Sequence, residues 1–192
     1  MTLTRIAAPE ADPVSLAEVR EQVRINSVDE DAVIARMIAA AVGRCDGPDG
    51  MIGRALITQT WRLTLDAFPA EIEIPLPPLQ SVSSIIYLDG GGAEQTLSAS
   101  VYQVIGVGGR DPARIHPAYG ESWPATRAQP EAVAVTFVAG YGAGAADVPA
   151  AIRHEIEKAA ADLYEFRELP DMHASIMAKL HDALLPYRVW TF

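Results

Sequence analysis

The residues that could carry chemistry are few, and most stand in the wrong company. His154-Glu155-Ile156-Glu157-Lys158 opens like a zinc-binding helix, but a lysine stands where the second imidazole must sit to give a metal paired ligands on one face. It is read as helix surface. Gly140-Tyr141-Gly142-Ala143-Gly144 lies between a strand-like run and a helical one, the setting of a loop that cradles phosphate. No second parallel strand follows, so the βαβ unit that gives such a loop its meaning is missing, and the stretch is read as a strand-to-helix joint. Gly106-Val107-Gly108-Gly109 runs into Arg110-Asp111-Pro112 and reads as a turn. His116, His173 and His181 are not spaced with carboxylates as a metal triad would be, and Ser122 sits in Glu121-Ser122-Trp123-Pro124 rather than in a glycine-flanked nucleophile elbow. Cys45, the single cysteine, falls on the apolar side of a predicted helix and is read as core. No catalytic, metal-binding or cofactor-binding residues are therefore expected, and the protein is read as no enzyme.

Two aromatic features remain. The first is the C-terminal segment Tyr187-Arg188-Val189-Trp190-Thr191-Phe192, apolar on a chain of net charge −10. Burying one such ring contributes about 1.5–3 kcal/mol, and ordering the backbone that carries it takes back a comparable amount. One tail alone is marginal; many tails bound at once, each adding a strand to a partner sheet, would hold firmly. The alternative is that the segment folds back on its own helices. The second feature is the proline-interrupted stretch Arg110–Pro130, which holds Tyr119 and Trp123. A loop of this length is either functional, here as a contact to a neighbouring molecule, or packed by its own aromatics, and the sequence leaves both open.

The elements that must position these groups follow from periodicity. Residues 1–14 carry Pro9 and Pro13 without a period and read as an extended arm. Ser15 and Glu18 form a capping box for a helix over Leu16 to Arg24. A second helix starts near Asp29 as its cap, buries Ile34, Met37, Ile38, Ala41, Val42 and Cys45, and stops at Asp46-Gly47-Pro48-Asp49-Gly50. Alternating apolar residues then predict antiparallel strands around Trp61, Leu63 and Leu65, at Ile72 and Ile74, over Ser83 to Leu88, Glu94 to Leu97, Tyr102 to Val107 and Ala132 to Val138. Pro75, Pro77 and Pro78 impose an extended crossover, and Asp89-Gly90-Gly91-Gly92 a hairpin turn. A third helix starts at Asp147 and Pro149 and buries Ile152, Ile156, Ala159, Ala160 and Leu163. A fourth, capped by Asp171, turns Ile176, Leu180 and Leu184 inward and ends at Pro186.

The fold class expected is α+β: a small helical bundle (residues 15–52 and 147–185) with an inserted antiparallel β-module (53–146) and an extended C-terminal tail (186–192). No apolar run reaches the roughly 18 residues of a membrane span, and the N-terminus lacks the pattern of a signal peptide, so a cytosolic protein is expected, with no membrane partner. The acidic balance and the lack of clustered Lys and Arg argue against tight binding to DNA.

Gly53-Arg54-Ala55-Leu56-Ile57-Thr58-Gln59-Thr60-Trp61, Leu76-Pro77-Pro78-Leu79-Gln80-Ser81-Val82, Ser122-Trp123-Pro124 and Val138-Ala139-Gly140-Tyr141-Gly142 occur in an order that resembles the head-tail connector (adaptor) proteins of long-tailed phages, prophages and phage-derived gene transfer agents. Pro13-Val14-Ser15-Leu16-Ala17-Glu18 and the acidic start of the second helix extend the likeness to about residues 13–168. The resemblance implies a ring, usually of about twelve copies, assembled in the bacterial host cytoplasm at the neck of the particle. Such a ring sits beneath the portal protein, extends the DNA channel without binding DNA specifically, and presents a surface to the next neck, stopper or tail protein. Simpler members are almost wholly helical, so the β-module reads as an elaboration. In this family the C-terminal segment commonly reaches the portal, which makes Tyr187, Arg188, Val189, Trp190, Thr191 and Phe192 the expected portal-binding residues. The likeness fades at Gly50-Met51-Ile52 and after Leu169, so those contacts rest on the chemistry of the segment. Twelve copies would carry a charge of roughly −120, which repels phosphate at close range. The rival reading is a monomeric binding module whose β-lobe holds a glycan or another protein; a metal hydrolase using His154 and Glu155 is a third.

Overall fold

A computed structural model describes residues 1–189. The fold is α+β, with helices and antiparallel sheets segregated into two units: residues 1–9 with 58–141, and 10–57 with 142 onward.

The first unit is the β-module. Its larger sheet joins β1 (Thr2–Ala7), β2 (Gln59–Leu65), β8 (Val133–Ala139), β4 (Leu79–Leu88) and β5 (Glu94–Thr96) in that spatial order, every neighbouring pair antiparallel. A period of two decides which side is buried. Trp61, Leu63, Val133, Val135, Phe137 and Ile85 are buried, while Arg62, Thr64, Ala134 and Thr136 alternate with them and stay wet. The register sets Trp61 opposite Phe137 and Leu63 opposite Val135, so large apolar side chains meet across the strands. A smaller sheet joins β3 (Ile72–Ile74), β7 (Ala113–Pro117) and β6 (Tyr102–Ile105), with Ile72, Ile74, Ala113 and Ile115 buried. In the hairpin between β4 and β5 the Asp89 carboxylate accepts the N–H groups of Gly91 and Ala93 at 2.9 and 3.0 Å, and Gly92 supplies the positive φ of 86°.

Three expectations change here. The segment read as an N-terminal arm contains β1, an edge strand paired with β2. Strand β4 begins at Leu79, directly after Pro78, and not at Ser83; bulges between Leu79 and Ser81 and between Val82 and Ser84 carry it past the polar run. The stretch Arg110–Pro130 is not all loop, because Ala113 and Ile115 alternate with Arg114 and His116 to make β7.

The second unit is helical. It contains α1 (Leu16–Gln22), α2 (Asp31–Cys45), α3 (Ala150–Glu165) and α4 (Pro170–Leu184). Helix α3 packs against α2, α4 and α1. Ile34, Ile38, Ala41 and Cys45 of α2, Ile152, Ile156, Ala159, Ala160 and Leu163 of α3, and Ile176, Leu180 and Leu184 of α4 are buried, the three-and-four spacing read from the sequence. Met37 and Val42 are half-buried at the margin of that stripe. The capping box is formed: Ser15 Oγ accepts the Glu18 N–H at 3.2 Å, and Glu18 Oε2 accepts the Ser15 N–H at 2.7 Å.

The other three caps are corrected. Asp29 engages Ser27, whose Oγ donates to its carboxylate at 2.6 Å, and α2 starts after Glu30 without a side-chain cap. Asp147 turns back to accept the Gly144 N–H at 2.9 Å within a 3-10 turn, and α3 starts after Pro149. Helix α4 has Leu169 as its N-cap residue and Pro170 at its first position, where a missing N–H costs nothing, which leaves Asp171 in the first turn. Short acidic side chains compete for several local donors, and spacing alone does not say which one each takes.

Candidate docking site at the C-terminal segment

After α2 the chain makes a tight return. Cys45 is followed by Asp46, whose carboxylate accepts the Leu56 N–H at 2.8 Å, while the Gly47 N–H donates to the Arg54 carbonyl at 2.7 Å and the Met51 N–H to the Arg44 carbonyl at 2.8 Å. Gly50 passes so close to the Cys45 carbonyl that no Cβ fits there, and Gly53 has φ of 64°. Ile52, Ala55 and Leu56 are buried. Arg54 is buried among them at 2% exposure, and a guanidinium in that position requires partners.

One of those partners comes from the far end of the sequence. Leu184 is buried, Leu185–Tyr187 form a 3-10 turn, and the Arg188 N–H closes it on the Leu185 carbonyl at 3.1 Å. The Tyr187 carbonyl accepts from Arg54 Nε, and the Val189 N–H donates to the Ile52 carbonyl at 3.0 Å. A Cβ on Gly53 would lie 3.6 Å from Val189 Cβ, so the two residues are in side-by-side contact. Of the residues expected to dock outward, Tyr187 and Val189 are thus held by their own chain, and Arg188 is extended (φ −63°, ψ 139°) with an exposed side chain. Trp190, Thr191 and Phe192 lie outside the described residues. No spacing in the sequence pairs Ile52–Arg54 with the C-terminal segment, although a lone arginine inside Met51-Ile52-Gly53-Arg54-Ala55-Leu56-Ile57 signals a buried charge.

The two aromatics expected to share a contact loop do different things. Trp123 stacks on Phe68 at 4.8 Å with the rings 7° apart, Phe68 meets Tyr87 edge-on at 5.7 Å, and Trp123 Nε1 donates to the Ala70 carbonyl at 3.4 Å. Tyr119 is fully exposed. Trp123 therefore belongs to the packing of the β-module, and Tyr119 alone of the two presents its ring to the surroundings.

The titratable groups follow their surroundings. Burial is the largest cause that pushes the Cys45 thiol up to about 12, which suits a core residue and not a nucleophile. The backbone and side-chain hydrogen bonds of Ser15 hold Glu18 below the usual carboxylate range, and Arg153, ion-paired with it, adds to the effect. Arg153 also donates from Nε to the Pro13 carbonyl at 3.2 Å, so this side chain ties α3 to the segment that leads into α1. Burial raises the Tyr102 hydroxyl. Among the described residues no group of three or more His, Cys, Asp or Glu side chains could hold a metal, and no helix is long and apolar enough to cross a membrane. In the glycine-rich joint the Asp147 carboxylate occupies the Gly144 N–H that a phosphate would need.

No known family and no curated protein matches the chain. Solved structures do. A chain in the neck of an empty gene transfer agent particle, computed with C6 symmetry, aligns over 100% of this chain and 97% of its own length, with a TM-score of 0.74 and 23% identity. A chain in the virion of a native gene transfer agent particle aligns over the same shares with a TM-score of 0.74 and 22% identity. One in a native neck computed with C12 symmetry gives 0.65 and 21% over the same shares. The helical unit and the β-module together are thus one fold shared, from end to end, with chains of gene transfer agent particles.

Proposed function

We propose that this chain is a structural subunit of the neck of a phage-like particle, a head-tail connector that forms a ring under the portal protein and continues the DNA channel toward the tail. The observation that carries the reading is the full-length likeness to chains from gene transfer agent necks, which includes the β-module that simpler, wholly helical connectors would lack. Necks of those particles were computed with C6 and C12 symmetry, and a dodecameric ring is the assembly that suits both. The net charge of −10 per copy suits a channel wall past which DNA must slide without sticking. The helical unit, with residues 15–52 and 147–185, is the ring body in this reading, the β-module is an outer or tailward lobe, and the segment Tyr187, Arg188, Val189, Trp190, Thr191 and Phe192 faces the portal, its Tyr187 and Val189 backbone groups already bonded to Arg54 and Ile52. Tyr119 and Trp123 are the neighbour-contact residues in this reading, with the fully exposed Tyr119 ring better supported than Trp123, whose ring stacks on Phe68. The chain has no turnover and no cofactor in this role.

The test is the mass in solution of the full chain and of a chain ending at Pro186, each alone and mixed with the portal protein of the same particle. The expected result is a portal complex holding about twelve copies that is lost on truncation. A monomer indifferent to both portal and truncation overturns the connector reading and favours the monomeric binding module.

A further inference from the structure

We infer that Ile52, Gly53 and Arg54 form a seat for the C-terminal segment, so that Tyr187 through Val189 are ordered on the helical unit before any partner binds. The observations are independent of one another. Arg54, a buried cation, directs Nε at the Tyr187 carbonyl, which is the last carbonyl of the 3-10 turn and has no continuing helix to bond it. Two residues further the pairing passes to the backbone: Arg188 is extended and the Val189 N–H reaches the Ile52 carbonyl at 3.0 Å. Gly53, at φ of 64°, brings its backbone against Val189 without a side chain between them. The Arg54 side chain, the Ile52 carbonyl and the Gly53 backbone thus each meet Tyr187 or Val189, so three successive residues hold two positions of the C-terminal segment.

The inference rests on the connector reading for what the tail binds, and it adds how the tail is presented. A loose terminal segment must be ordered at the moment of binding, and each backbone residue so ordered costs free energy. A seat that has already ordered Tyr187 through Val189 removes that cost from the encounter with the portal. Arg54 is in this sense a positioning residue: it touches the tail and not the partner.

Val189→Pro removes the N–H that reaches Ile52, and Arg188 before it already holds an extended backbone of the kind a residue preceding proline adopts. Val189→Ala shortens the side chain and keeps the N–H. In the full chain, Val189→Pro is expected to leave the helical melting curve in place and to weaken portal binding roughly two- to tenfold, beyond any loss shown by Val189→Ala. Equal or tighter portal binding by Val189→Pro overturns the role of the seat in presentation. Amide exchange on the chain without portal reads the seat by itself: a protected Val189 N–H in the unaltered protein supports it, and exchange at the rate of an unstructured peptide overturns it. Failure of the unaltered chain to bind portal, with that amide protected, overturns the choice of partner and leaves the seat standing.

Discussion

Glu18 shows how much one side chain can be asked to do. It closes the capping box with Ser15 and pairs with Arg153, so it secures the first turn of α1 and ties that helix to α3. Its folded pKa lies below its unfolded value, which means the unfolded chain binds the proton more tightly. The stabilisation is therefore fully present above the ordinary carboxylate range and is lost as pH falls through the lowered folded value. Glu18→Gln is expected to melt earlier at neutral pH, by an amount near the ~1 kcal/mol of a typical cap, and to narrow its deficit as the solution is acidified; thermal melts across pH 3–7, a range set by carboxylate titration, check both. Cys45 supplies the opposite case. With its thiol pushed up to about 12 by burial, it should resist alkylation in the native protein and label at once in denaturant, and rapid native labelling followed by mass spectrometry would contradict its place in the core.

Among elements, the two sheets divide the module into parts that tolerate change differently. Phe137 is fully buried on the strand flanked by β2 and β4, and Phe137→Ala should cost about 3–5 kcal/mol, read from the denaturant midpoint. Trp123→Ala removes one stacked ring from the margin of the same module and should cost less, about 0.5–1.5 kcal/mol beyond the lost burial, whereas Tyr119→Ala should leave stability unchanged because its ring touches no core. If the neighbour-contact assignment holds, Tyr119→Ala weakens ring formation while the melting curve stays in place. Strand β1 belongs at this scale too. It is an edge of the five-stranded sheet, and all of its residues but Leu3 are exposed.

At the scale of the whole molecule, charge is the property that multiplies. A single copy carries −10, and in the proposed ring the copies would sum their potentials, so that with screening over about 8–10 Å a channel they lined would repel phosphate at close range. Full-length protein should accordingly cause no retardation of duplex DNA in a mobility assay at moderate salt, with or without portal; a stable shift would count against a passive channel wall. The fold likeness covers 100% of the chain, helical unit and β-module alike.

The sequence by itself determined the helical stripes and most of the strands, since these need only a period of 3.6 or 2 and a place where Gly or Pro breaks it. Ile34 with Ile38, Ile152 with Ile156, and Trp61 with Leu63 were legible for that reason, as was the capping box, in which both partners lie within one turn. Tertiary structure decided what depends on partners far apart in the chain. Proline-flanked Ala113–Pro117 became a strand because Ile72 and Ile74 on one side and Tyr102 to Ile105 on the other offered it ladders. Trp123 became packing because Phe68 lay within stacking distance. Tyr187 and Val189 acquired a seat because Arg54, 133 residues before Tyr187, and Ile52 met them in the folded chain: a buried guanidinium requires acceptors, a main-chain carbonyl requires a donor, and only the folded chain brings the two requirements together.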